Sequence, residues 1–252
     1  MLMEQETSLP LSSVEALNAL IDEALQVREK KQSPRTYLGA SSLGRSCGRE
    51  IQYGYLNIPK DKPFTGQTLR TFEIGHTLEA LAREWLRKAE FEIITHEDGQ
   101  PLGFSTADGK IQGHVDGIIH KAPASLNMAV PALWECKTMN ERSWKETVAK
   151  GLKASKPDYA VQIALYQGYM EESVPRVSEH PALFTAINKN TSALYHEWVP
   201  YDRALAQEAS DRAVNILKDT KSGHLFPRGS STSEGFICRF CAWATTCWKE
   251  VG

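Results

Sequence analysis

The chain lacks any apolar run near the ~18 residues that a membrane-spanning helix needs. It also lacks internal repeats and low-complexity tracts. Neither charge dominates: 29 Lys+Arg stand against 31 Asp+Glu, a formal net charge of -2. That balance argues against a histone-like or tail-driven nucleic-acid binder, but leaves open a DNA enzyme with a local basic channel. The first residues, MLMEQETSLPLSS, lack the basic start and apolar core of a secretory signal, so a cytoplasmic protein is expected. Five cysteines in 252 residues are too few for a disulfide miniprotein. What is present is ordinary for a soluble globular chain: 41% hydrophobic and 24% charged residues, enough for a sizeable core.

The apolar spacing of Val14, Leu17, Leu20, Ile21, Leu25 and Val27 predicts a helix over residues 12–31, capped by Ser12 or Ser13. Ser33-Pro34 breaks it. A Gly- and Ser-rich turn precedes Cys47, and a short aromatic helix follows. A long helix is predicted over Gln67 to Ala89, with Leu69, Phe72, Leu78, Leu81, Trp85 and Leu86 on its buried face. Strand-like runs follow: FEIITHED, PLGFSTADG, KIQGHVDGIIH and ALWECK, with Asp108-Gly109 as a hairpin turn. Lys145 to Leu152 reads as a short basic helix, and Pro157 opens another, PDYAVQIALYQGYMEE. Two strands, ALFTAINKN and ALYHEWVPY, precede a helix from about Asp202 to Lys218. The order suggests a mixed α/β core with cysteines at both flanks.

Three constellations carry chemistry. In the first, Asp116 lies in an acid-bearing strand, and Glu135-Cys136-Lys137 ends an apolar one. Adjacent strands can bring the Asp116 and Glu135 carboxylates together as a hard site for Mg²⁺ or Mn²⁺. Residues 135 and 137 share one side of a strand, which aims Lys137 at the same point. The chain holds four acid-x-Lys triplets, at Glu29, Asp108, Glu135 and Asp219, and taken alone such a triplet is better explained as a surface ion pair. Only the one at Glu135 follows an acid-bearing strand. In the second, Gln162 and Tyr166 share a helix face at a spacing of four; alone they fit a core tyrosine beside a satisfied amide. In the third, Cys238, Cys241 and Cys247 fall within ten residues and Cys47 lies far upstream. Four thiolates suit a structural Zn²⁺ or an iron–sulfur cluster, while unrelated buried thiols are the plainer reading.

Taken together, these motifs resemble the PD-(D/E)xK nucleases of the RecB type. Among these, the chain is most similar to the iron–sulfur exonucleases: the CRISPR-associated adaptation exonucleases, the AddB nuclease domain and Cas-four-like nucleases carried by phages. The resemblance covers about residues 40 to 250. It implies an α/β fold with a restriction-endonuclease-like core, a central mixed β-sheet flanked by helices, and an iron–sulfur-clasped helical C-terminal subdomain. In domain terms it implies an N-terminal helix over 1–36 and a single nuclease domain over 37–252, with 37–60 and 225–252 forming the clasp. It assigns a [4Fe-4S] cluster to Cys47, Cys238, Cys241 and Cys247, with Zn²⁺ as the alternative. The Ser41-Ser42-Leu43 and Cys47-Gly48-Arg49 segments match the upstream motif. It maps the acidic strand to Asp116, the Glu-x-Lys to Glu135 and Lys137, and the Gln-x-x-x-Tyr to Gln162 and Tyr166. In Gly75-His76-Thr77-Leu78-Glu79, Glu79 occupies the position of a histidine ligand, so either Glu79 or His76 supplies the extra carboxylate or imidazole, with Glu79 preferred. The usual proline before the first acid is replaced by Val115.

The activity so implied is metal-dependent exonucleolytic hydrolysis of DNA in recombination, repair or end processing. Asp116, Glu135, Glu79 and the Cys136 backbone carbonyl hold Mg²⁺ or Mn²⁺, and Lys137 orients or deprotonates the water. Gln162 and Tyr166 contact DNA or brace the lysine. From Lys137 to Lys156 there are six Lys/Arg and two Glu, so Lys145, Lys150, Lys153, Arg49 and Trp144 are candidate DNA contacts, against the plainer readings of a solvated face and a core tryptophan. Expected partners are single- or double-stranded DNA ends and recombination or single-strand-binding proteins, with no membrane. The rival reading is a non-catalytic zinc- or iron–sulfur-containing DNA-binding subunit of a nuclease complex.

Overall fold

The computed structural model describes residues 11–249. Four elements come first: α1 (Leu11–Lys30), β1 (Leu38–Gly39), α2 (Gly48–Tyr55) and α3 (Gly66–Lys88). A run of strands follows: β2 (Glu92–Ile94), β3 (His96–Glu97), β4 (Gln100–Pro101), β5 (Gly103–Thr106), β6 (Ile111–His114), β7 (Gly117–Lys121) and β8 (Ala132–Met139). Then come α4 (Glu141–Lys150), α5 (Leu152–Ser155), α6 (Pro157–Met170), β9 (Ala182–Asn188), β10 (Leu194–Val199) and α7 (Arg203–Lys221). Two short helices, α8 (Phe236–Arg239) and α9 (Ala244–Lys249), complete the described residues.

Five strands form the central sheet in the order β10-β9-β8-β7-β2. Only β8 and β9 run parallel; the other neighbours are antiparallel, so the sheet is mixed. The β8–β9 connection carries α4, α5 and α6, as a parallel pair requires. All seven residues of β9 are buried, because helices cover both of its faces; β10 alternates between exposed and half-buried residues at the sheet edge. Helix α6 is apolar nearly all round, and its position explains why. Ile163, Tyr166 and Met170 face the sheet core, while Val161 and Leu165 face a second core shared with Ala209, Ala213 and Ile216 of α7.

The expected mixed α/β core is present, with corrections in detail. The helix expected over 12–31 spans 11–30, and Ser12 and Ser13 lie inside it rather than capping it. Phe72 and Leu81, expected on the buried face of α3, are 46% and 42% exposed. The small Ala82 is buried instead, and Leu78, Trp85 and Leu86 are only partly covered. Phe72 turns outward against Phe64, a ring contact made outside the core. The basic helix expected from Lys145 starts earlier, at Glu141, because the Asn140 side chain accepts the Ser143 N–H at 2.8 Å and caps it there. It ends where Gly151 takes φ +76. Asp108-Gly109 does turn the β5–β6 hairpin, with Ala107, Asp108 and Gly109 all at positive φ.

Candidate active site and cysteine cavity

The strand expected to carry Asp116 breaks at Val115–Asp116, between β6 and β7. The break lets the side chain turn back onto the next strand. Asp116 Oδ2 accepts the Cys136 backbone N–H at 2.8 Å, Asp116 lying one residue before Gly117 and Cys136 two past its partner Trp134. On β8, Trp134 and Cys136 face the core beneath α3, whereas Leu133 and Met139 face α6. Glu135 and Lys137 therefore share the α6 side, as the period of two requires. The helix spacing also holds, since Gln162 of α6 reaches across and its Nε2 donates to Glu135 Oε1 at 2.7 Å.

Glu135 is fully buried. Its Oε1 accepts from both Gln162 and the Lys137 ammonium. Its Oε2 is buried with no hydrogen-bond partner among the described residues. A buried, half-satisfied carboxylate is costly, and such groups in a folded protein call for an explanation. Glu79, half-buried on α3, feels the charge of Asp116, and Arg83 one turn later lies 3.6 Å from it. Burial and the Asp116 charge push the Glu79 carboxyl up to about 7. The same two causes push Glu135 to about 8, against the opposing Lys137 charge. Burial also raises Asp116. Burial pulls Lys137 down, but Glu135 and Asp116 outweigh it and hold the ammonium charged, well above the usual lysine range. Three carboxylates that resist ionising side by side, one with an orphaned oxygen, form a donor set that a hard divalent cation would satisfy. By position, among the described residues no group of three or more His, Cys, Asp or Glu side chains is placed to hold a metal ion.

His76 is exposed on α3, and among the groups acting on Asp116 its charge is the weakest named. Tyr166 is buried among core residues, and burial with the Glu135 charge raises its hydroxyl. Trp144 packs against the sheet core and donates from Nε1 to the Ala186 carbonyl at 3.2 Å, so its indole nitrogen is already engaged. Lys145, Lys150 and Lys153 are exposed and paired with Glu141, Glu146 and Asp202. Arg49 lies elsewhere: its Nε donates to the Phe226 carbonyl at 2.6 Å. Two residues absent from the sequence reading stand at the carboxylates. One is Arg83; its signal is the spacing of four from Glu79. The other is Tyr159, whose ring lies 5.3 Å from the Lys137 ammonium; its signal is its position one turn before Gln162.

Cys47, Cys238, Cys241 and Cys247 all line one cavity, together with Arg49, Arg228, Tyr53 and Trp248. Burial lifts the Cys241 thiol to about 11, and charge on Cys47 and Cys247 contributes, so these sulfurs are neighbours. Four thiols around one small cavity fit a tetrathiolate metal centre. The surrounding chain is stapled independently of them. The Gln52 side chain is fully engaged, donating to Thr220 Oγ1 and the His224 carbonyl and accepting from the Phe226 N–H. Asp61 accepts from the N–H groups of Thr245 and Thr246 and from the Thr246 hydroxyl. Cys136 is not part of this group: it is buried in the sheet, and burial raises its thiol.

No protein-family model matches the chain, and no curated protein matches it in sequence. Among solved structures, the chain is similar to the crystal structure of an alkaline exonuclease (LHK-Exo) from Laribacter hongkongensis, with a TM-score of 0.51 and 14% identity. That alignment covers 80% of this chain and 93% of the other. The structure of LHK-Exo in complex with dAMP gives a TM-score of 0.50 at 14% identity, covering 75% and 89%. A third, the crystal structure of SSO0001, gives 0.47 at 16% identity, covering 92% and 96%. At these identities the likeness to LHK-Exo is one of fold: a central mixed sheet flanked by helices.

Proposed function

We propose that this chain is a divalent-metal-dependent deoxyribonuclease of the PD-(D/E)xK type, acting as an exonuclease on DNA ends. One observation carries the reading: the buried Glu135, with an orphaned oxygen, stands beside Asp116 and Glu79 and is paired with Lys137. The fold shared with an alkaline exonuclease supports it. Asp116, Glu135 and Glu79 would hold Mg²⁺ or Mn²⁺, with His76 at the rim. Such an ion, when bound, neutralises phosphate charge and acidifies water. The chain's own groups do the rest. Gln162 fixes the Glu135 rotamer through Oε1. The Cys136 N–H fixes Asp116. Lys137, kept protonated by its two acidic neighbours, orients the attacking water and stabilises charge building on the phosphate oxygens. Lys145, Lys150 and Lys153 sit in exposed pairs that contribute little stability and can exchange their carboxylates for DNA phosphates.

The four cysteines, in the same reading, hold a [4Fe-4S] cluster with a structural role; zinc is the alternative occupant. The shared cavity supports this. Purification without oxygen, an absorption spectrum and iron analysis test it, and a colourless, zinc-loaded protein would refute the iron–sulfur assignment. The nuclease reading is tested by Mn²⁺-dependent cleavage of end-labelled single- and double-stranded DNA, with Lys137→Ala as control. Mononucleotide release by the wild type alone supports it. DNA binding without cleavage would favour the non-catalytic subunit.

A further inference from the structure

Lys137 has two neighbours with different chemistry. Its ammonium is hydrogen-bonded to Glu135 Oε1, and it also faces the Tyr159 ring at 5.3 Å from the centroid. Tyr159 is the third residue of α6, and residues 159, 162 and 166 recur at intervals of three and four along one face. That face meets the α6 side of β8, where Glu135 and Lys137 project. The motif Gln-x-x-x-Tyr thus extends one turn toward the helix start, where Pro157 occupies the first helical position.

The two neighbours respond differently to a cation at the carboxylates. Glu135 Oε1 already serves both Gln162 and Lys137. A divalent ion drawn to Glu135 competes with the ammonium for that negative charge and repels it. The Tyr159 ring offers its negative π face without any net charge, so it does not compete for the ion. The ring is half-buried and packed against the main core, which limits its movement. Its hydroxyl makes no hydrogen bond among the described residues, so the ring, not the oxygen, is the functional part.

We infer that Tyr159 is a positioning residue, holding the Lys137 ammonium at the reaction centre by a cation–π contact when Glu135 is engaged by the metal. The inference rests on the nuclease reading and adds a residue to it. A cation–π contact of this kind corresponds to a change of about ten-fold in the population of the correctly placed lysine.

The experiment compares Tyr159→Phe and Tyr159→Leu with the wild type under single-turnover Mn²⁺-dependent cleavage. Tyr159→Phe keeps the π face and is expected to retain the rate within about two-fold. Tyr159→Leu is expected to lose about ten-fold in kcat, with KM for DNA and the Mn²⁺ requirement unchanged. A Leu variant as fast as the wild type overturns the inference while leaving the nuclease reading intact. A rise in KM instead, showing that the ring stacks on DNA, also overturns it. Loss in both Phe and Leu variants would mean the hydroxyl matters, contrary to the inference. Crystal structures of the wild type and Tyr159→Leu soaked with Ca²⁺ give a readout independent of cleavage. The ammonium should stay within about 6 Å of the ring in the wild type and be displaced or disordered in the variant. An unmoved ammonium in the Leu variant sinks the inference even if cleavage is never observed.

Discussion

The carboxylate centre and the cysteine cavity are built on opposite principles. The carboxylates sit on and beside β8, which with its neighbour β9 is largely buried on both faces. Each acid is oriented by a separate packed element: Asp116 by β8, Glu135 by α6. These contacts hold the acids without any ligand, and the energetic cost shows as raised carboxyls and an orphaned oxygen. The cysteines instead sit on turns, on helices of four and six residues and just before one of eight, drawn from segments nearly 200 residues apart. No sheet supports them, and side-chain staples at Gln52 and Asp61 close the chain around them. A preorganised site stores its strain for a ligand; a stapled one relies on its ligand for completion.

Perturbing the two regions should therefore give different signatures. The largest effect is expected at the carboxylates: Lys137→Ala or Glu135→Ala should lower cleavage by at least about 10³-fold while circular dichroism stays native. Replacement of Cys238 or Cys247 by Ser should show the reverse pattern. Metal content measured by mass spectrometry should fall and the melting temperature should drop, with cleavage lost only as folding is lost. A cysteine variant that is stable but inactive would erase the contrast.

The third test is pH. Glu79 and Glu135 rest at about 7 and about 8, above their ordinary values. The folded state therefore binds more protons than the unfolded one, and stability in EDTA should fall as pH rises from about 4.5 through 8, by about 1.4 kcal/mol per unit for each proton involved. Chemical denaturation across that range checks the slope, and saturating Mn²⁺ should flatten it. Next, Asp61→Ala should destabilise by about 1 kcal/mol through lost N–H acceptors, with the holoprotein's cleavage rate unchanged. Smallest, His76→Ala should alter cleavage by less than about five-fold, against a far larger loss for Glu79→Ala. Equal losses would make the exposed histidine a metal ligand after all.

Much of the fold was legible from local rules. Pro157, the Asp108-Gly109 turn and the strand-like runs of β7 and β9 announced their elements. The buried face of α3 was misread because helical spacing identifies a stripe but not the width of the partner beneath it. Phe72 and Leu81 lie off the stripe that packs on the sheet, where Leu78, Ala82 and Trp85 are covered. Asp116 was assigned to a continuous strand because nothing in Gly113-His114-Val115-Asp116-Gly117 signals that pairing switches between sheets there: β6 belongs to the three-stranded sheet and β7 to the central one. Arg49 and Trp144 were grouped with the DNA contacts by charge and aromaticity; packing sets Arg49 Nε on the Phe226 carbonyl and Trp144 Nε1 on the Ala186 carbonyl.

The sequence by itself determined which side chains can share a face. The period of two on β8 joined Glu135 to Lys137, and the spacing of four joined Gln162 to Tyr166, because backbone geometry sets those distances whatever the surroundings. The tertiary structure decided what those faces meet. It set Gln162 on Glu135, left Oε2 without a partner, brought the Tyr159 ring to Lys137 and gathered four distant thiols around one cavity. Those contacts join residues from about 20 to about 200 positions apart, and chain closure over such distances is dictated by packing of the whole core rather than by any local pattern.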